Sequence, residues 1–406
     1  MKEPKFDLTV IGGGAVGLST AFRFAQAYPN MRLLVLEKEN QWAGHQTGNN
    51  SGVIHSGIYY KPGSYKAQNC IKGREQLVDF CKNYDVKHEI CGKIIVATDE
   101  EEIPRLEQIL VNGYENGLQA INRIDAKAIR DIEPYCNGID GIHVPYTGIV
   151  DYRQMTERMV DLVRASNSNN LCQLNNPIKK IKQVADGFYL FTANTVYFSR
   201  YLVTCGGLQS DRLARMAGSE PTFRIVPFRG DYYDLAPNAR HKVKHLIYPV
   251  PHPDFPFLGV HFTRMIDGSV ECGPSAVFSF KREGYSKLDF DWQDTQSALT
   301  YSGTWKLFYN NWKYGLDQYR GAFSKRHFLN RLRKLIPDLQ LSDLVAGRSG
   351  VRAMGLKPDG SLVDDFFFEV SERSIHVLNA PSPAATACLA IGLEVLNKAN
   401  ESFDLK

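Results

Sequence analysis

The loop Gly12-Gly13-Gly14-Ala15-Val16-Gly17 lies between an apolar run and a helical pattern. No other feature constrains the fold as tightly. Phe6-Asp7-Leu8-Thr9-Val10-Ile11 reads as a buried parallel strand. From Val16 to Tyr28 the apolar residues recur at helical spacing. A second strand, Leu33-Leu34-Val35-Leu36, ends on Glu37, about 20 residues past the last glycine, as a dinucleotide fingerprint requires. Gly12 suits the tight turn, Gly14 the close approach of a pyrophosphate, and Gly17 the packing of helix on strand. The helix start at Ala15 and Val16 offers free N–H groups and a partial positive charge to phosphates. Glu37 can accept hydrogen bonds from a ribose diol, and it repels the extra phosphate of NADP.

At 406 residues the chain has room for two or three domains with ample core. Hydrophobic (43%) and charged (23%) fractions are those of an ordinary globular protein, which excludes a disordered chain. A net charge of +4 argues against a dedicated nucleic-acid binder and suits an anionic small substrate. No apolar leader precedes the first strand, and no run of about 18 uncharged apolar residues occurs, so neither a secretory signal nor a membrane span is expected. Cys70, Cys81, Cys91, Cys136, Cys172, Cys205, Cys272 and Cys388 show no Cys-x-x-Cys spacing. Reduced, mostly buried thiols in a cytoplasmic chain are expected, and no metal site.

Periodicity orders the rest. Lys93 to Ala97 reads as a strand, and Asp151 as the N-cap of a helix through Met155, Met159, Leu162 and Val163. Asp186-Gly187 is a hairpin turn between Ile181–Val184 and Phe188–Phe191. Tyr201–Cys205 is another buried strand, stopped by Gly206-Gly207. A β-rich region runs over 224–290, two helical stretches reach about residue 340, and Ser374–Leu378 is a late strand. Nucleotide-binding signatures thus occur at the start, middle and end. The expected division is a discontinuous nucleotide-binding domain (1–80, 146–223 and 342–406) and a substrate domain (81–145 and 224–341).

Asn379-Ala380-Pro381-Ser382-Pro383-Ala384-Ala385-Thr386 precedes an apolar helix through Leu389, Ile391 and Leu393. Ser382 reads as an N-cap and Pro383 as the first helical residue. This end is either an ordinary capped helix or one whose N–H donors face the negative charge of a reduced flavin. Its place after the glycine fingerprint and after Cys205-Gly206-Gly207 favours the flavin.

Longer segments carry a resemblance: Gly48–Tyr60, Ile225–Tyr232, Phe255–Thr263, Phe280–Tyr285, Gly350–Ala353 and Asn379–Thr386. Over nearly its whole length the chain resembles the FAD-dependent oxidoreductases of the D-amino-acid-oxidase and glycerol-3-phosphate-dehydrogenase class, and most nearly the branch that acts on L-2-hydroxyglutarate. The resemblance implies an α/β fold with an α+β second domain: a Rossmann-type FAD-binding domain and a mixed, mainly antiparallel substrate domain. It implies oxidation of L-2-hydroxyglutarate to 2-oxoglutarate by hydride transfer to flavin N5, with electrons passed to a quinone, a respiratory chain or oxygen. Flavin contacts are implied at Lys38, Gly48, Asn49, Asn50, Ser51, Gly52, Val53, Ile178 and Arg352. Some relatives attach flavin to a His or Cys in loops where this chain has Asn49 and Arg352, so noncovalent FAD is expected, with His45 nearby in sequence. One departure is Ser275, where the family often carries Asn. The alternatives are an amine or amino-acid oxidase of the same fold, a flavin-dependent tRNA-modifying protein, and a redox-sensing module.

Oxidising a secondary alcohol needs a hydride acceptor and a base for the hydroxyl proton. His55, in a glycine-rich aromatic loop, is the first candidate base and His261 the second. A hydroxydiacid brings two carboxylates, each suited to a cation with several donors. Arg229 is the foremost, counted with the catalytic groups; Arg264, Lys281, Arg282 and Arg352 are the others. Tyr59, Tyr60 and Tyr248 can add hydroxyl donors.

Tyr301, Trp305, Phe308, Trp312 and Tyr319 fall near helical spacing, followed by a basic amphipathic segment, 325–335, with Phe328, Leu332 and Leu335 on one side. The pair reads either as a peripheral contact with the inner face of an anionic bilayer, giving access to quinone, or as a core stripe with a solvated basic face. Oligomeric state is not encoded in any of these features.

Overall fold

The strand Lys5–Ile11 is flanked on both sides by parallel neighbours, Leu33–Leu36 and Val196–Thr204, and its inner residues Leu8, Thr9 and Val10 are buried on both faces. The structure, a computed structural model, describes residues 3–251 and 259–405. The Phe255–Leu258 part of the family resemblance therefore lies outside the described residues. Among those residues the first sheet has eight strands. Leu171–Gln173 lies beyond Leu33–Leu36, and the Asp186-Gly187 hairpin forms as expected between Lys180–Val184 and Gly187–Phe191. Ser374–Asn379 joins the sheet parallel to Val196–Thr204.

Three helices cover one face. Ala15–Ala27 packs between Tyr152–Ser166 and Cys388–Ser402, around Leu18, Phe22, Met155, Met159 and Val395. Asp151 caps the second of these, its carboxylate accepting from the N–H groups of Arg153 and Gln154. The third begins later than the sequence reading places it. Residues 382–387 are turns and the helix starts at Cys388, so Ser382 is not its N-cap nor Pro383 its first residue. Apolar packing decides this start: Ala387, Cys388 and Ile391 are buried, whereas 381–385 run along an open cleft.

Among the described residues the second sheet has nine strands, antiparallel except where Leu246–Pro249 runs parallel to Lys93–Ala97. Its long ribbon pairs Arg224–Leu235 with Leu344–Leu356. Residues 342–356, expected with the nucleotide-binding segments, are thus carried in part by the second sheet. A small sheet of Val53–Ile54, Gly148–Val150 and His88–Glu89 lies where the chain passes between the two large ones.

The region after 290 forms four short helices instead of two longer stretches: Trp292–Leu299, Ser302–Asn310, Trp312–Phe323 and Lys325–Leu332. The basic helix does not present an apolar face to a bilayer. Phe328, Leu332 and Leu335 are buried against Phe262, Val270 and Leu344. The exposed apolar surface lies just before it: Leu288, Phe290, Trp292, Trp305, Tyr309, Trp312, Leu316 and Phe323 face outward. Tyr301, Phe308 and Tyr319 are half-buried. No helix among the described residues is long and apolar enough to cross a membrane. All eight cysteines are free thiols.

Candidate active site

A cleft of about 1320 Å³ opens at the C-terminal ends of the first parallel strands and runs to the second sheet. At its nucleotide end the glycine loop is held by contacts that tolerate no side chain. Gly12 adopts φ +119°, and a Cβ there would come within 2.3 Å of the Cys205 carbonyl oxygen. A Cβ on Gly17 would come within 2.0 Å of the Gly12 carbonyl oxygen. Gly14 differs. A Cβ there would meet only Thr47 Oγ1, at 3.1 Å, so its position opens onto the cleft. Thr47 Oγ1 also accepts the Ala15 N–H at 3.0 Å, at the start of the helix. The carboxylate of Glu37 closes this end, accepting from Gly13 N (2.7 Å) and Glu39 N (2.9 Å). Lys38, Val16, Ile178, Gly206 and Gly207 line the same end, with Cys205, whose thiol burial pushes up to about 12.

Asn49, Asn50, Ser51 and Val53 line the middle, facing Pro381, Ser382, Pro383, Ala384 and Ala385. Asn50 turns its Oδ1 to the Gly52 N–H, and its Nδ2 is buried with no partner among the described residues. Gly48 and Gly52 lie behind this wall. A Cβ on Gly48 would meet the Ala43 carbonyl oxygen at 2.2 Å. Thr386 also lies behind it, fully buried, accepting from His55 N (3.1 Å) and donating to the Val53 carbonyl (3.2 Å). These three support the lining and do not belong to it.

At the far end His55, Tyr59, Tyr60, Tyr232, Tyr248, His261, Arg352 and Arg105 come together. His261 donates from Nδ1 to the Gly259 carbonyl (2.8 Å), since a carbonyl can only accept, which leaves Nε2 as an acceptor. Its ring stands edge-on to Tyr248, with centroids 4.1 Å apart. Burial is the main cause that lowers both imidazoles, His55 to about 3 and His261 to about 4; the Lys93 ammonium adds to each, and Arg352 to His261. Burial raises the hydroxyl pKa values of Tyr59, Tyr60 and Tyr248, so all three remain hydroxyl donors.

Four expected cations are elsewhere. Arg229 is buried and bound to Asp231 through Nε (2.7 Å) and Nη2 (3.3 Å), with Nη1 on the Ser286 carbonyl (2.6 Å). Arg282 is buried against Asp211, with Nη2 at 3.0 Å, and the Leu208 carbonyl. Arg264 pairs with Glu89. Lys281 does not line the cleft. Ser275 is buried and accepts the Asp231 N–H, so it supports the Arg229 pair and not the substrate.

A family model described as FAD dependent oxidoreductase matches residues 7–397. The chain belongs to that family. It is 44% identical to the L-2-hydroxyglutarate dehydrogenase of Indibacter alkaliphilus over 98% of this chain and 100% of the relative. It is 43% identical to that of Escherichia coli K12, over 97% of this chain and 93% of the relative. It is 42% identical to the mitochondrial human one, over 98% and 90%. Among solved structures the fold is similar to L-alpha-glycerophosphate oxidase from Mycoplasma pneumoniae, solved with FAD bound (TM-score 0.80, 20% identity, 98% of this chain and 95% of that one). Glycine oxidase from Geobacillus kaustophilus is also similar (TM-score 0.72, 15% identity, 98% and 95%).

The cleft fits the family's FAD. Gly14 is open where a pyrophosphate would approach, Glu37 lines the cleft where a ribose would lie, and the unpartnered Asn50 Nδ2 offers a donor midway. Sequence reasoning missed Thr47, Tyr232, Arg105 and Arg348. Arg348 binds the Glu271 carboxylate and the carbonyls of Gly48 (3.0 Å) and Asn50 (2.5 Å), tying the loop 48–50 to the second sheet. Lys38 sits among Glu39, His45 (2.9 Å) and Glu283 (2.9 Å), so its charge is already matched.

Proposed function

We propose that this chain oxidises L-2-hydroxyglutarate to 2-oxoglutarate using noncovalently held FAD. The observation that carries the reading is a pair of imidazoles, His55 and His261, lining one cleft with Arg352 and Arg105, in a chain similar over nearly its full length to dehydrogenases named for that substrate. FAD, when bound, supplies the acceptor for the hydride lost from the alcohol carbon. His55 takes the hydroxyl proton. Its proton site is empty at neutral pH, and a dianion alongside opposes the positive charges that depress it, so base strength rises when substrate is bound. His261, with Nε2 free to accept, is the second candidate.

Among the cations that line the cleft, Arg352, beside His261, and Arg105 suit the two carboxylates. Tyr59, Tyr60 and Tyr248 donate to carboxylate or hydroxyl oxygens. A protonated amine would instead meet like charge, which disfavours an amine oxidase. Noncovalent binding is supported by Asn49, whose amide is turned to the Gly44 and His45 carbonyls, and by His45, whose ring is held by Lys38, Glu39 and Tyr285.

The outward aromatic surface between 288 and 323 supports peripheral contact with a membrane on its inner face. Electrons would then leave for a membrane quinone. The substrate reading is tested by anaerobic titration of the yellow protein with L- and D-2-hydroxyglutarate, malate and lactate. Bleaching by the L-enantiomer at the lowest concentration is expected. Bleaching by an amino acid alone removes the reading.

A further inference from the structure

Lys93 begins the strand Lys93–Ala97 and is almost fully buried. Its ammonium packs 4.4 Å from the ring centre of Tyr59 and 4.9 Å from that of Tyr248. Both rings form the cleft wall, and Lys93 stands behind them. Among the described residues it has no carboxylate partner and no hydrogen-bond acceptor. A buried ammonium without a counter-ion is costly, and two aromatic faces recover only part of that cost. Such a group makes physical sense if the negative charge arrives with a ligand.

We propose that Lys93 is a positioning residue for an anionic substrate: its ammonium, held behind Tyr59 and Tyr248, is matched electrostatically only when a dicarboxylate enters the cleft in front of them. The inference rests on the substrate reading above. The helix Ile103–Glu115, which packs on the strand of Lys93, brings Arg105 to the cleft wall. The loop before the helix Tyr65–Asn83 brings His55 and Tyr59, and that helix brings Cys70 and, further off, Arg74. Leu246–Pro249 brings Tyr248 and His261–Arg264 brings His261, while the paired residue on Asp140–Val144 is the apolar Val144. None of these adds a negative charge at neutral pH. Burial lowers Lys93 to about 7, whereas His55 and His261 lie near 3 and 4 and Cys70 near 12. Lys93 is therefore the group of this cluster that changes charge between pH 6 and pH 9. An incoming dianion raises its affinity for a proton, so binding is coupled to proton uptake.

The test is binding of glutarate, a dicarboxylate that cannot be oxidised at a hydroxyl, to the FAD-loaded enzyme, read from the flavin absorbance between pH 6 and pH 9. The wild type should bind about tenfold more weakly at pH 9 than at pH 6, the equivalent of a one-unit shift in the lysine. Lys93→Arg, which keeps its charge, should show a flat profile, and Lys93→Met should bind weakly throughout. A flat wild-type profile, or Lys93→Met binding as tightly as wild type, overturns the proposal. If Lys93→Met does not retain FAD, the wild-type slope against the Lys93→Arg profile still decides. Absence of any dicarboxylate binding by the wild type overturns the substrate reading as well, which separates the two failures.

Discussion

The Thr386 hydroxyl accepts the backbone N–H of His55 at 3.1 Å, joining two residues far apart in the chain. The same hydroxyl donates to the Val53 carbonyl and meets the Tyr152 hydroxyl at 3.1 Å. It therefore fixes the candidate base relative to the strand Val53–Ile54. Thr386→Val keeps the shape and removes the hydroxyl. It should cost about 1–3 kcal/mol, the penalty for buried polar groups left unpaired. Thermal melting should show the loss, and stopped-flow flavin reduction should slow along with it. Unchanged values in both assays would mean that His55 is positioned otherwise.

Gly17 offers a second test. A methyl there cannot avoid the Gly12 carbonyl, 2.0 Å from the ideal Cβ, without moving the loop that would cradle the pyrophosphate. Gly17→Ala should purify with little bound flavin, measured as the ratio of flavin to protein absorbance. A normally yellow variant would contradict the assignment of this end of the cleft.

Arg229 has a structural fate. Its partner Asp231 is buried beside it and also accepts from Ser349 Oγ (2.9 Å). Arg229→Met leaves that carboxylate uncompensated, at a cost of about 3–5 kcal/mol. Arg229→Met/Asp231→Asn should regain much of the stability in thermal melts. Glutarate affinity of the folded protein should be unchanged in both. A raised KM with an unchanged melting temperature would return Arg229 to the substrate site.

Burial sets the response to acid. His55, His261 and His376 have folded pKa values depressed to about 3, 4 and 4. Their stabilisation is fully present above the unfolded value near 6.5 and is lost as the pH falls through the folded values. Lys93, lowered to about 7, has the same sign at higher pH, between 10.5 and 7. The melting temperature should fall continuously from pH 8 to pH 5. His376, bonded to Thr204 and outside the cleft, offers a control: His376→Gln should shallow the acid limb without altering the substrate panel. A melting temperature independent of pH over this range would show that these imidazoles are not held neutral.

The nucleotide end of the cleft was legible because its glycines answer to local geometry: the turn at Gly12, the helix start at Ala15 and the acid at Glu37 all fall at fixed offsets. The cations were not, because a guanidinium's partner is set by tertiary packing. Asp211 lies 71 positions from Arg282. Asp231 is different, since residues two apart on a strand share a face, and that pairing with Arg229 could have been foreseen. Lys93 resembled an ordinary charged strand start, and its burial follows from Tyr59 and Tyr248, far away in sequence. The basic helix left two readings open for the same reason, and the core-stripe one holds. Its apolar stripe meets the second sheet, while the unpartnered aromatics sit on the helices before it.

The central claim is that the half-buried, unprotonated His55 receives the hydroxyl proton of a bound 2-hydroxydiacid. Stopped-flow reduction of the flavin by L-2-hydroxyglutarate, comparing His55→Gln with wild type at saturating substrate, tests it most directly. The account predicts a rate lower by about a hundredfold or more, the usual scale for a lost general base, with FAD still bound. Reduction of the variant at the wild-type rate would contradict it.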